Sequence, residues 1–243
     1  TDIQQRSFNI GRDTPSTANP FPANFKKLTA EYGLSHFEDI STAVVGRVPY
    51  RTAYYRNATH TAGPGVDRIA RSVMFVRPGL VFVLDAFTQD ESEPASYIQT
   101  NWHFVLEAGM PATANSNRDV TVTNSPSRLW GHMSYPTTPA VNEVEFRDAA
   151  TEFPASGYQR NSYRWRAEPS SVTRNQFFFH VFRAADVAGY SAPTFTDFTA
   201  TSVFGCMVTG LESSEGTQVC GVFVDNGTDT PPVSVSYSVA QTG

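Results

Sequence analysis

Two groups of residues in this 243-residue chain have the types and spacing that acid–base or anion-binding chemistry needs. The first is Tyr54, Tyr55, Arg56 and His60, within YRTAYYRNATHT, where Tyr54, Arg56 and His60 share the parity of one strand face. Abstracting a proton beside a carboxylate takes a group that neutralises the acid, a base, and a proton donor to the departing oxygen. Arg or Asn, His and Tyr can fill those roles. The second group is the alternating set Gln99, Asn101 and His103, matched by Arg160, Arg164 and Arg166 further along. Side by side on one sheet, these residues would hold an anionic chain through bidentate guanidinium contacts, while Tyr and Trp rings offer platforms for sugar faces. Plainer readings stay open for both: a Tyr-rich strand that is core and rim, and an ordinary wet sheet face.

The elements that must position these residues read as strands. RSVMFV, a Pro78-Gly79 turn and LVFVLDAF are followed by a polar acidic loop and then YIQTNWHFVL. The first two are apolar on both alternating sets of positions, which predicts strands covered on both faces. In the third, Ile98, Thr100, Trp102, Phe104 and Leu106 fall on one face, and Tyr97, Gln99, Asn101 and His103 on the other. HFEDISTAVV, DVTVTNS, RLWGHMSYP, VNEVEFRD, the run Tyr158 to Glu168, FFFHVFRA, SVFGCMVTG, TQVCGVFVD and VSVSYSVA extend the pattern, with turns recurring about every ten residues. No stretch carries a sustained helical period. The chain is therefore predicted to be all-β, an antiparallel β-sandwich of supersandwich or jelly-roll type. Residues 1–30, polar and rich in Pro, Asn and Thr, read as an irregular arm, and 31–243 as a single sandwich domain.

Composition narrows the partners. Hydrophobic residues make up 40% and aromatic residues 13%, enough for a large core, and the formal net charge of -5 argues against nucleic acid. Among the 18 basic residues only Lys26 and Lys27 are lysines; the rest carry the guanidinium fork, a bias that genomic base composition also explains. No apolar run approaches the roughly 20 residues that cross a bilayer. A phosphate-binding loop, CxxC pairs, HExxH and GxSxG are all missing from the sequence, so neither a metal nor a cofactor is expected. His36 with Glu38 and Asp39 is the nearest approach to a metal cluster, and a solvated loop accounts for it. A hairpin centred near Ser213 would set Cys206 nearly opposite Cys220, leaving a cross-strand disulfide or two buried thiols open. The sequons at Asn57 and Asn226, together with that possible disulfide, point to an exported protein. The start at Thr1 is expected to reflect a processed chain or a piece of a longer one.

The wording of the central stretch resembles the β-sandwich module of the heparinase II/III-like polysaccharide lyases. The matching residues are Arg71, Pro78 after an apolar strand, Asp85 ending the next, then Trp102 and His103; FFFHVFRAADVAGYSAP is similar to a later strand and loop. The likeness spans roughly residues 30–224. It implies a secreted protein acting on an acidic, uronic-acid polysaccharide by β-elimination. Arg56 or Asn101 would face the carboxylate, His60 or His103 would be the base, and Tyr54 or Tyr55 the acid; Gln99, Arg160, Arg164 and Arg166 would bind substrate. In that family a helical toroid supplies the catalytic Tyr and part of the His set, and this chain contains none, so a toroid domain or partner chain is the implied complement. Ligands of the family's zinc site find no match here. The competing expectation is a non-catalytic carbohydrate-binding or surface-assembly sandwich, and a third is a single-domain jelly-roll lyase with a concave sheet lined by the arginines.

Overall fold

In the computed structural model the described residues are 36–39, 43–49, 66–89, 95, 98, 100–105, 112–114, 116, 118–124, 126–147, 162–186, 191–211, 218–225 and 234–240. They are all-β and antiparallel, as the alternation predicted. The largest sheet has eight strands, in spatial order β1 (His36–Asp39), β2 (Ala43–Pro49), β3 (Val66–Val76), β4 (Leu80–Gln89), β11 (Asn175–Ala185), β8 (Ser127–Tyr135), β7 (Asp119–Asn124) and β6 (Ala112–Ala114). A three-stranded sheet, β5 (Thr100–Val105), β10 (Ser162–Pro169) and β9 (Pro139–Arg147), covers one of its faces. A four-stranded sheet, β12 (Thr194–Ala200), β13 (Val203–Thr209), β14 (Gln218–Val224) and β15 (Ser234–Ala240), covers the other.

Two cores follow from this stacking. Met74, Leu80, Phe82, Leu84, Phe179 and Val181 of the central sheet meet Phe204, Val208, Val219 and Phe223 of the four-stranded sheet. On the opposite face Val83, Phe178 and Phe182 meet Trp165 and Ala167, with Trp102 and Phe104 packed alongside. Strand β4 alternates between the two, Phe82 and Leu84 to one side and Val83 to the other, so a strand oily on both faces is what its place demands. Each fully buried Phe or Leu contributes about 1.5–3 kcal/mol of transfer free energy. The result is three stacked antiparallel sheets, a sandwich-like arrangement.

The structure departs from the sequence reading at several strands. β3 and β4 pair as a hairpin, but the next neighbour of β4 is β11, and β5 crosses to the three-stranded sheet instead of continuing the triplet. Ahead of β5, the backbone N–H of Ile98 donates to Gln176 Oε1 at 3.0 Å. Gln176 is buried, and its Nε2 donates in turn to Thr173 O at 2.9 Å. HFEDISTAVV is two strands, β1 and β2, folded on each other. TFTDFTA forms the edge strand β12, unanticipated because its outward residues are Thr, Phe and Ala and its inward ones include Asp197. The hairpin joining β13 to β14 is centred where expected, yet Cys206 pairs with Gly221 and Cys220 with Met207. That offset sends the two thiols to opposite faces of the sheet, and both cysteines are free, which rules out the cross-strand disulfide. The arm expected over residues 1–30 lies outside the described residues.

Candidate functional site

The register of the three-stranded sheet brings together residues that are about 60 positions apart in sequence. Arg164 lies opposite His103 and Arg166 opposite Asn101 on β5; on the far side Arg164 lies opposite Glu145 and Arg166 opposite Glu143 on β9. Alternation turns Trp165 and Ala167 into the core, so Arg164 and Arg166 take the solvent side with the exposed Asn101. Arg164 Nη2 pairs with Glu145 Oε2, and Arg166 Nη2 with Glu143 Oε1 at 2.8 Å. The Nε atom of each guanidinium is shielded from solvent and has no hydrogen-bond partner among the described residues. The face is thus compensated row by row, one carboxylate to each arginine. It can exchange an internal carboxylate for an external anion, and the exchange is cheap because half-exposed ion pairs are worth only about 0–1 kcal/mol. The side chain of His103 and all of Tyr54, Tyr55, Arg56, His60, Gln99 and Arg160 lie outside the described residues.

Behind this sheet, three of the residues that carry the family resemblance converge. Arg71 and Asp85 face each other across β3 and β4, and the guanidinium grips the buried carboxylate with two bonds, Nε–Oδ1 at 2.6 Å and Nη2–Oδ2 at 2.9 Å. Trp102 closes over the pair, its ring centroid 5.0 Å from Arg71 Cζ. With both oxygens of Asp85 held by Arg71, this node does not fit a metal ligand. Next to it is His180, wholly buried, its ring 5.5 Å from Trp102 and 5.1 Å from Trp165. Neither ring nitrogen has a hydrogen-bond partner among the described residues. Burial, reinforced by the charges of Arg71 and His132, pushes its pKa down to about 3, so the imidazole is neutral at physiological pH. Sequence reasoning missed this histidine, since FFFHVFRA gives no sign that the ring enters an aromatic box.

A second buried cluster went unanticipated. His132 of β8 bonds through Nδ1 to Asp119 Oδ1 at 2.6 Å and through Nε2 to Asp197 Oδ1 at 3.0 Å, while Phe195 stacks on the ring at 4.7 Å. Ser116 Oγ donates to Asp119 Oδ2 at 2.5 Å, and Arg118 Nη1 donates to Asp197 Oδ2 at 2.5 Å. Burial alone would lower the pKa of His132, but its bonds to Asp119 and Asp197 outweigh that and raise it. Burial likewise works to raise both carboxyls, and the hydrogen bonds to His132, helped by Ser116 for Asp119 and by Ser134 and Arg118 for Asp197, leave both lowered. A local signal existed for half of it, because β7 and β8 follow each other closely in the chain and their antiparallel register sets Asp119 opposite His132. For Asp197, 65 residues downstream of His132, there was none.

No family model and no curated protein matches the chain. Among solved structures it is similar to the heparan sulfate lyase HepC of Pedobacter heparinus, at TM-score 0.49 and 13% identity over 86% of this chain. It is also similar to a heparinase III, at TM-score 0.47 and 14% identity over 85% of this chain. The chain spans 28% of the length of the first and 27% of the second.

Proposed function

We propose that this chain is the β-sandwich part of a secreted heparinase II/III-like polysaccharide lyase, whose three-stranded sheet presents its outer face to an acidic, uronic-acid polysaccharide. The observation that carries the reading is the register of β5 on β10. It aligns His103 and Asn101 with Arg164 and Arg166 directly above the node formed by Arg71, Asp85 and Trp102. Cleavage would be by β-elimination, with Asn101 or Arg56 facing the sugar carboxylate, His103 or His60 as base and Tyr54 or Tyr55 as acid. Gln99 and Arg160 would extend the binding face, and a helical toroid domain or partner chain would complete the groove. The fixed Arg71–Asp85 pair and the Trp102 lid hold β5 in place beneath the reacting groups, a positioning role.

One observation favours a second reading, a binding module without catalysis: the pairing of Arg164 and Arg166 with internal carboxylates suits weak, salt-sensitive recognition better than a tight clamp. Both are tested by incubating the purified chain with alginate, glucuronan, heparan and chondroitin polymers. The assay follows the ultraviolet absorbance of the unsaturated uronide and measures binding in parallel. An absorbance rise abolished by His103→Ala or His60→Ala supports the lyase. Binding without a rise, weakened by Arg164→Ala with Arg166→Ala, supports the module. A chain that neither cleaves nor binds any of the polymers overturns both.

A further inference from the structure

The donor atoms of His132, Asp197 and Cys206 all lie within 4.8 Å of one another, at the seam where the central sheet meets the four-stranded sheet. Asp197 and Cys206 are directly opposite each other on β12 and β13, with Cys206 and Val208 on the inward face; His132 reaches them from β8. We propose that these three side chains form a binding site for a divalent transition metal of the zinc class, bridging the two sheets.

The donor set is an imidazole nitrogen, a carboxylate oxygen and a thiol, the mixture that suits zinc better than the hard cations calcium and magnesium. The spacing fits as well. Tetrahedral zinc with bonds of about 2.0–2.3 Å sets its ligand atoms roughly 3.3–3.7 Å apart, and His132 Nε2 is already 3.0 Å from Asp197 Oδ1. Small rotations of Asp197 and Cys206 would open that gap.

The strongest support lies around the donors. A zinc-binding imidazole ordinarily gives its other ring N–H to a carboxylate that fixes the tautomer, and His132 Nδ1 has that partner in Asp119 at 2.6 Å. Asp119 is itself held by Ser116, the remaining oxygen of Asp197 is held by Arg118, and Phe195 walls the ring. Each of the two charged ligands thus already has its outer support. Burial holds the Cys206 thiol protonated without a metal, with Asp197 nearby adding to the effect. Binding requires that thiol to give up its proton and His132 Nε2 to be free of one, so affinity should rise with pH. Access is from the side of Asp119 and Arg118, whose side chains are about a third and a quarter exposed, 36% and 26%. Three protein ligands leave the fourth position for water. None of these residues carries the lyase resemblance, and the site does not depend on that reading.

The test titrates the chelator-treated full chain with Co²⁺, a spectroscopic substitute for zinc. The expected result is a saturable near-ultraviolet thiolate-to-cobalt band with a one-equivalent endpoint, displaced by zinc. It should vanish in Cys206→Ser and persist in Cys220→Ser, whose thiol is on the other face. Asp119→Asn should weaken binding about 10–100-fold while leaving the band, because it removes only the outer support. Should Cys206→Ser fail to fold, Asp197→Asn carries the same test and must also weaken binding at least about tenfold. A folded chain that shows no saturable band, or a band that survives loss of Cys206, overturns the proposal.

Discussion

His180 shows what burial does to a titratable group when no partner compensates it. Its two nitrogens, without a hydrogen-bond partner among the described residues, carry desolvation penalties of about 1–3 kcal/mol each, and edge contacts with Trp102 and Trp165 and stacking on Phe182 offset only part of that. The unfolded chain takes up a proton at this histidine below its ordinary value of 6.5, whereas the folded chain does so only near 3. Between those values the unfolded state binds more protons, so stability is intact above 6.5 and is lost as pH falls toward 3. The slope attributable to this residue should reach about 1.4 kcal/mol per pH unit. Urea titrations across that window should show His180→Leu flattening the slope; an unchanged slope would mean that the folded imidazole already carries a proton. The cysteines make a second contrast at this scale. Cys220 should react with a thiol reagent in the native state, slowly because burial also raises its pKa, while Cys206 should react only on unfolding. Mass spectrometry after timed alkylation distinguishes them.

Among the elements, the closeness of the layers is set by glycines. A Cβ at Gly221 on β14 would meet Phe82 Cδ1 at 2.7 Å and Met74 Cε at 2.8 Å, inside the core shared with the central sheet. A Cβ at Gly205 on β13 would meet the Phe198 ring first, at 2.1 Å, on the outer face where Phe198 is 41% exposed. Crowding is therefore greater on paper at Gly205, yet the ring there can swing into solvent and the Phe82 ring cannot. Gly221→Ala should cost about 1–3 kcal/mol, as overpacking of a filled core does, and Gly205→Ala well under that. Thermal or urea denaturation of the pair decides it, and an equal loss at both positions would mean that Phe198 is more tightly held than its exposure implies. The same alternation explains why the strands of the three-stranded sheet could be read for facing: Trp102 and Phe104 go inward and Asn101 outward, as their spacing required.

Taken as a whole, the molecule uses one sheet twice. The central sheet supplies one wall of each core, so each outer layer is stabilised by the same strands, β4 and β11, from opposite sides. Trp165→Ala on the three-stranded side and Phe82→Ala on the four-stranded side should each cost about 3–5 kcal/mol. Because the central sheet links the two layers, each variant should shift one common unfolding transition rather than create a second. Circular dichroism and tryptophan fluorescence followed together would show this, and separated midpoints for the two probes would argue that the outer layers melt independently.

The sequence by itself determined the class of the fold and the facing of strands such as β4 and β5, since a period of two is a local property that the buried or exposed fate of each residue enforces. It also supplied the residues of the lyase resemblance, and the structure brings Arg71, Asp85 and Trp102 of that set into contact. Only the tertiary structure decided which strand lies beside which. That choice rests on pairings between residues far apart in the chain, where nothing local distinguishes β5 as the partner of β10 from β5 as a continuation of β4. The same long-range pairing joins Asp197 to His132 across two sheets and separates Cys206 from Cys220 by one residue of register. One residue of slip in a sheet exchanges its faces, and the sequence around the β13–β14 turn did not fix the register that finely.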